Sequence, residues 1–100
     1  MASHPTPKVE IENFTSPGKT YRVDAEKFNA MRAAYLHVLP KGPPGLRQSD
    51  IHQRIKAHLP QDLFPGGEKS GWWAKAVQLD LEAKSIIKRS DTSPLRMHKI

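Results

Sequence analysis

Nine prolines and six glycines cut this 100-residue chain into short pieces. The breaks fall at Ser16-Pro17-Gly18-Lys19, Pro40, Lys41-Gly42-Pro43-Pro44-Gly45, Pro60, Pro65-Gly66-Gly67 and Pro94. Proline fixes φ and lacks the N–H that a helix or an inner strand needs. No regular element can run through these points, which excludes a long helix or coiled coil. What remains is a set of short elements around one small core, as the length allows. Hydrophobic residues make up 37% of the chain, too many for full disorder.

Residues 1–7, with two prolines and small polar side chains, are expected to be disordered. Residues 8–100 are expected to form one domain. In 8–23, Val9 and Ile11 alternate with Glu10 and Glu12, and the Ser16–Lys19 turn returns the chain through Thr20–Val23, predicting a hairpin. Residues 24–84 read as three helices. Asp24 is an N-cap, and Phe28, Met31, Tyr35, Val38 and Leu39 recur at helical spacing from Ala25 to Leu39. Ile51, Ile55 and Leu59 mark a second helix from Gln48 to Leu59. The long turn after Pro60 plugs Leu63 and Phe64 into the core. Ser70 is the expected cap of a third helix, Gly71–Lys84. Residues 86–99 read as a closing hairpin, with strands at Ile86–Arg89 and Leu95–His98 about the loop Ser90–Pro94. The fold class predicted is therefore α+β.

Charge narrows the partners. The formal net charge is +6, and residues 84–100, with five basic and one acidic side chain, hold +4 of it. A basic tail favours polyanions. The chain has no cysteine, which removes disulfides, thiolate metal sites and cysteine nucleophiles and suits a reducing cytoplasm. No apolar run reaches the ~18 residues of a membrane span, and the first residues do not read as a signal peptide.

The segment Ala74–Arg89 resembles the end of the recognition helix and the start of the wing in winged-helix proteins, at Leu81, Glu82, Ile86, Ile87 and Arg89. Leu46-Arg47-Gln48-Ser49-Asp50-Ile51 is similar to that family's approach to its second helix. The chain also resembles small uncharacterised bacterial proteins with an N-terminal hairpin and a Gly-Trp-Trp helix, here Gly71-Trp72-Trp73. The resemblance implies a three-helix winged-helix domain with a C-terminal β-hairpin wing and an extra N-terminal hairpin. Two positions depart from it. Ser85 stands where a glycine is usual, at a helix end that requires positive φ. The connection between helices two and three is also about ten residues, against three or four in DNA readers.

At ~100° per residue the third helix has three faces. Trp73, Ala74, Val77 and Leu81 face the core, and Lys75, Gln78 and Glu82 form a polar face. Trp72, Ala76, Leu79 and Ala83 form a second apolar stripe, and a helix apolar on two sides is buried on two sides. Its cover is either the N-terminal hairpin (Val9, Ile11, Phe14), a second subunit, or another partner. Two functions follow. In the first, a small transcriptional regulator binds double-stranded DNA, with phosphate contacts from the wing (Lys88, Arg89, Arg96, His98, Lys99) and with Lys75 and Gln78 on the helix. The wing charges are then exposed and contribute little to folding. In the second, the stripe Trp72, Ala76, Leu79, Ala83 serves a protein-interaction module or a homodimer, without nucleic acid. Trp72 and Trp73 read as core residues before base-stacking ones.

No catalytic reading has support. His4, His37, His52, His58 and His98 form no i, i+4 pair, so no metal site is expected. Asp80 and Glu82 are two apart on a helix and diverge, so they make no acid–base pair. Glu68 and Asp62 stand where a phosphate loop needs glycine around Pro65–Ser70. The expectation is a binding protein without enzyme activity, cofactor, metal or membrane partner.

Overall fold

The structure, a computed structural model, describes residues 7–90 and 94–100. The expected disorder of residues 1–7 and the tip of the loop at 91–93 lie, but for Pro7, outside the described residues. The chain runs β1 (Lys8–Glu12), β2 (Thr20–Asp24), α1 (Ala25–Val38), β3 (Leu46–Arg47), α2 (Gln48–Ile55), α3 (Ser70–Ala83), β4 (Ile87–Ser90) and β5 (Arg96–Lys99). It is an α+β protein of three helices and two small antiparallel sheets, β1–β2 and β3–β5–β4. That layout is compatible with a winged-helix-like arrangement preceded by a hairpin.

The hairpin forms as its pattern predicts. Ile11 pairs with Tyr21 and Val9 with Val23, so these four share one face. Lys19 N–H closes the turn on the Ser16 carbonyl, with Gly18 at positive φ. Asp24 caps α1 by accepting from Lys27 N–H at 3.0 Å. Phe28, Met31 and Tyr35 of α1 and Ile51 and Ile55 of α2 meet Trp73, Ala74, Val77 and Leu81 of α3 in one core.

Several boundaries differ from the sequence reading: both wing strands lie one residue later than expected, α1 and α3 each end one residue sooner, and other differences have local reasons. The α-helical part of the second helix stops at Ile55, and Lys56–His58 continues it as a 3-10 turn. Leu59 precedes proline and takes an extended backbone (φ −93, ψ 134), so the last turn tightens. Ser70 is the first residue of α3 and not its cap. The chain reaches the helix through Lys69 in the left-handed region (φ 61), and no side chain caps it. The segment 41–45, expected to be a plain linker, is tied to β5. Lys99 N–H donates to the Pro40 carbonyl at 2.8 Å, and Gly42 N–H donates to the Lys99 carbonyl at 2.9 Å. Leu46-Arg47 then adds the two-residue strand β3, pairing Leu46 with Met97 and Arg47 with Arg96. A Cβ at Gly45 would lie 2.1 Å from the Met97 carbonyl oxygen, so only glycine lets the two backbones approach this closely.

The end of α3 bears out the unusual serine. Ser85 has φ 60. Its N–H donates to the Glu82 carbonyl, and Ile86 N–H donates to the Leu81 carbonyl at 2.9 Å. This bond pair is the Schellman motif, with Ser85 in the position that favours glycine. The turn aims β4 back along the core, where Ile87 is buried. Ser85→Gly should therefore stabilise the protein by a few tenths to about 1 kcal/mol, read as a higher melting temperature. Leu81, with no exposed surface at the centre of the core, sets the opposite expectation. Leu81→Ala should cost about 2–5 kcal/mol in a denaturant titration.

Candidate functional site

Two surfaces and one buried network decide what α3 can do. The network begins at Glu82, whose side chain is 2% exposed. Both its oxygens accept from Arg89 on β4, Oε1 from Nη2 at 2.8 Å and Oε2 from Nε, a fork-on-fork pair. Oε1 also accepts from Gln78 Nε2 at 3.1 Å, and Gln78 Oε1 accepts from Gln48 Nε2 at 2.8 Å and from the Tyr35 hydroxyl. Burial, and then the Glu82 charge, push the Tyr35 hydroxyl well above its ordinary value, so it stays a donor. The hydrogen bond to Glu82 in turn raises Arg89. Phe14, beyond the end of β1, closes the outer side with its ring 5.0 Å from the Arg89 guanidinium. Among the described residues no buried side-chain nitrogen or oxygen lacks a partner.

This network corrects two sequence expectations. Lys75, Gln78 and Glu82 do not form one solvent-facing polar face. Gln78 and Glu82 are buried, because β4 and the start of α2 close over them, and Lys75 alone is exposed. Gln78 is thus not available to a base edge. Arg89 is likewise not a free wing cation, since it neutralises a buried carboxylate.

The wing sheet has two distinct faces. Cross-strand pairing places Leu46, Met97, Lys99, Ile87 and Arg89 on the face toward the core, where Lys99 is half-buried. The opposite face carries Arg47 from β3, Arg96 and His98 from β5, and Lys88 and Ser90 from β4, with no acidic residue among the described ones. Lys88 and Arg47 are exposed, and Arg96 is half-buried with Nη1 donating to the Gly45 carbonyl at 3.1 Å. Arg47 also meets Asp50 of α2 at 3.3 Å. His98 is buried where the Gly45 backbone runs against it, and Ser90 Oγ lies 3.4 Å from its Nδ1. Of the expected set Lys88, Arg89, Arg96, His98 and Lys99, Lys88, Arg96 and the buried His98 lie on this outer face, Arg89 and Lys99 on the other, and the fold adds Arg47 to the outer one.

The second apolar stripe of α3 is covered in part by the hairpin. Glu12 N–H donates to Asp80 Oδ1 at 2.9 Å and Phe14 N–H to the Leu79 carbonyl at 3.2 Å, so β1 is pinned along the C-terminal half of the helix. Ile11 is buried there, and Ala76, Leu79 and Ala83 are half-buried. The N-terminal end stays open. Trp72 is 60% exposed and Tyr21 47%, which corrects the expectation that Trp72 is core; Trp73 is core. Between hairpin and helix lies a groove of about 460 Å³. Aromatic edge contacts run from Phe64 through Trp73 to Trp72, whose ring centroids are 5.0 Å apart in the last pair. Lys75 and Arg22 stand on the groove's rim. His52 of α2 is held below its ordinary value by burial first, then by Lys75 and Lys56.

Among the described residues no cluster of three or more histidines and carboxylates could hold a metal, and no helix is long and apolar enough to cross a membrane. Arg47, Tyr21 and Arg22 are the surface residues that sequence reasoning missed. Arg47 had no signal, because a two-residue strand leaves no pattern; Tyr21 could have been placed from its register opposite Ile11.

Removing Arg89 strands the Glu82 carboxylate in the core. Arg89→Ala should destabilise by about 3 kcal/mol in a denaturant titration, as expected of a buried pair with one partner removed. This reverses the sequence expectation that wing charges matter little to folding. The double variant Glu82→Leu with Arg89→Met should recover much of the loss, since no buried charge remains.

The comparison with known proteins follows this geometry. No curated protein and no solved structure matches the chain. Residues 8–97 match the model of the family described as "Family of unknown function (DUF6958)", a span that takes in the hairpin, all three helices and the wing sheet as far as Met97 of β5. The chain belongs to that family.

Proposed function

We propose that this protein binds nucleic acid, duplex DNA first of all, through the outer face of the wing sheet, as a small cytoplasmic regulator of transcription of winged-helix type. The observation that carries the reading is the register of β3, β5 and β4, which sets Arg47, Arg96 and Lys88 on one face whose described strand residues include no acidic one. Arginine and lysine there meet phosphate oxygens, and each neutralised phosphate releases counterions. The reading excludes base readout by α3, because Gln78 and Glu82 are inside the protein. Affinity then comes from the backbone of the duplex and depends only slightly on its sequence. The reading is of a binding protein, with no catalytic step.

Titration of labelled duplex at several salt concentrations is the test. Three phosphate contacts give a log–log slope of roughly −3. Arg47→Ala with Lys88→Ala should lower that slope by about two units and leave the melting temperature nearly unchanged, since both side chains are exposed. No duplex binding at ~50 mM salt removes the proposal.

A further inference from the structure

The wing leaves the other open feature, the groove beside Trp72, without a role. From its shape and rim we infer that this groove docks an extended segment of a partner protein that carries bulky apolar side chains flanked by carboxylates.

The groove is built and not merely uncovered. Its floor is aliphatic, from Ile11, Val23, Ala76 and Leu79, and its lip is aromatic, from Tyr21 and Trp72. Its volume lies in the range of pockets that bury a ligand or an anchoring side chain. The Trp72 ring makes an edge contact with Trp73, which limits how far it must be ordered on binding. Exposed Trp and Tyr beside an apolar floor make the composition of an interface hot spot.

Three features choose the occupant. First, among the described residues β2 pairs on one side only, with β1, so the backbone of Tyr21–Val23 at the groove is an open strand edge. A polypeptide satisfies such an edge by adding a strand, with alternate side chains entering the groove; a nucleic acid does not. Second, Arg22 on the groove's lining is offset by Glu10, its cross-strand partner, and by Glu12, whereas Lys75 makes no ion pair among the described residues and calls for an acidic flank. Third, a second copy of the chain brings +6 to +6. Stacked groove to groove about a two-fold, it also sets its own Arg22 and Lys75 near their equivalents. A foreign acidic strand meets none of this repulsion.

A random twelve-residue peptide library displayed on phage, selected on immobilised wild-type protein, tests the inference. Selected sequences should alternate bulky apolar residues with others and be enriched in aspartate and glutamate. The best synthetic peptide should alter tryptophan fluorescence. Its affinity should fall at least about tenfold for Trp72→Ala and for Lys75→Glu, with melting temperatures near wild type. Arg47→Ala with Lys88→Ala should leave it unchanged, which keeps this result independent of the wing. The inference is overturned by selection that yields no consensus, by a basic consensus, or by affinities that the Trp72 and Lys75 variants do not change. It is equally overturned if sedimentation shows a dimer that Trp72→Ala dissolves, or if oligothymidylate binds in the groove in place of peptide.

Discussion

The fold depends on one buried ion pair. Glu82 stands on α3 with its carboxylate inside, and Arg89 reaches it from β4 after the chain has reversed through Ser85. A carboxylate in such a place is tolerable only when both oxygens are engaged. Arg89 supplies both bonds in one fork, and Gln78 adds a third. The pair therefore fixes where the wing lies against the helix. Gln78 extends the constraint to α1 through Tyr35 and to the start of α2 through Gln48, so one polar thread joins the three helices to the sheet. Its outer end is closed by Phe14 over the Arg89 guanidinium, which brings in the N-terminal hairpin. Leu81 and Val77, fully buried on the same helix, supply the apolar packing around it.

This arrangement leaves little of α3 open to solvent. A recognition helix keeps one face free for base edges. Here the core takes the face of Trp73, Val77 and Leu81, the polar network takes Gln78 and Glu82, and the hairpin takes Leu79 with Ile11 against it. The only open stretch is the first turn and a half, at Trp72, Lys75 and Ala76. Positive charge is correspondingly moved off the helix and onto the sheet, at Arg47, Arg96 and Lys88.

Much of the fold was legible because it is written locally. The turn at Pro17-Gly18, the cap at Asp24, the stripe of Phe28, Met31 and Tyr35, and the left-handed Ser85 each rest on residues within a few positions of one another. Local pattern fails where a residue's environment comes from far along the chain. Gln78 and Glu82 look like surface residues by type and spacing. They are buried because Gln48, thirty positions earlier, and Arg89, seven positions later, converge on them. β3 is too short to have a period, and it exists because Gly45 lets its backbone run against Met97. The candidate site was legible to the same degree. Trp72, Ala76 and Leu79 were placed together by helical spacing, while their exposure depends on how far β1 extends along the helix.

That last dependence has a physical cause in the hairpin itself. β1 is anchored to α3 at two backbone donors, Glu12 N–H on Asp80 and Phe14 N–H on the Leu79 carbonyl, both toward the C-terminal half of the helix. Asp80 is held in turn by Lys84 at 2.9 Å, so the anchor point is neutralised and fixed. At its other end the hairpin is committed to α1, where Asp24 at the end of β2 caps the helix. The groove lies beside the anchor, lined by Tyr21 of the hairpin, cross-strand from Ile11, and by Trp72 of the helix. Closing it within one chain would require moving either Asp80 or Asp24, and each is already committed to a bond that starts or steadies another element.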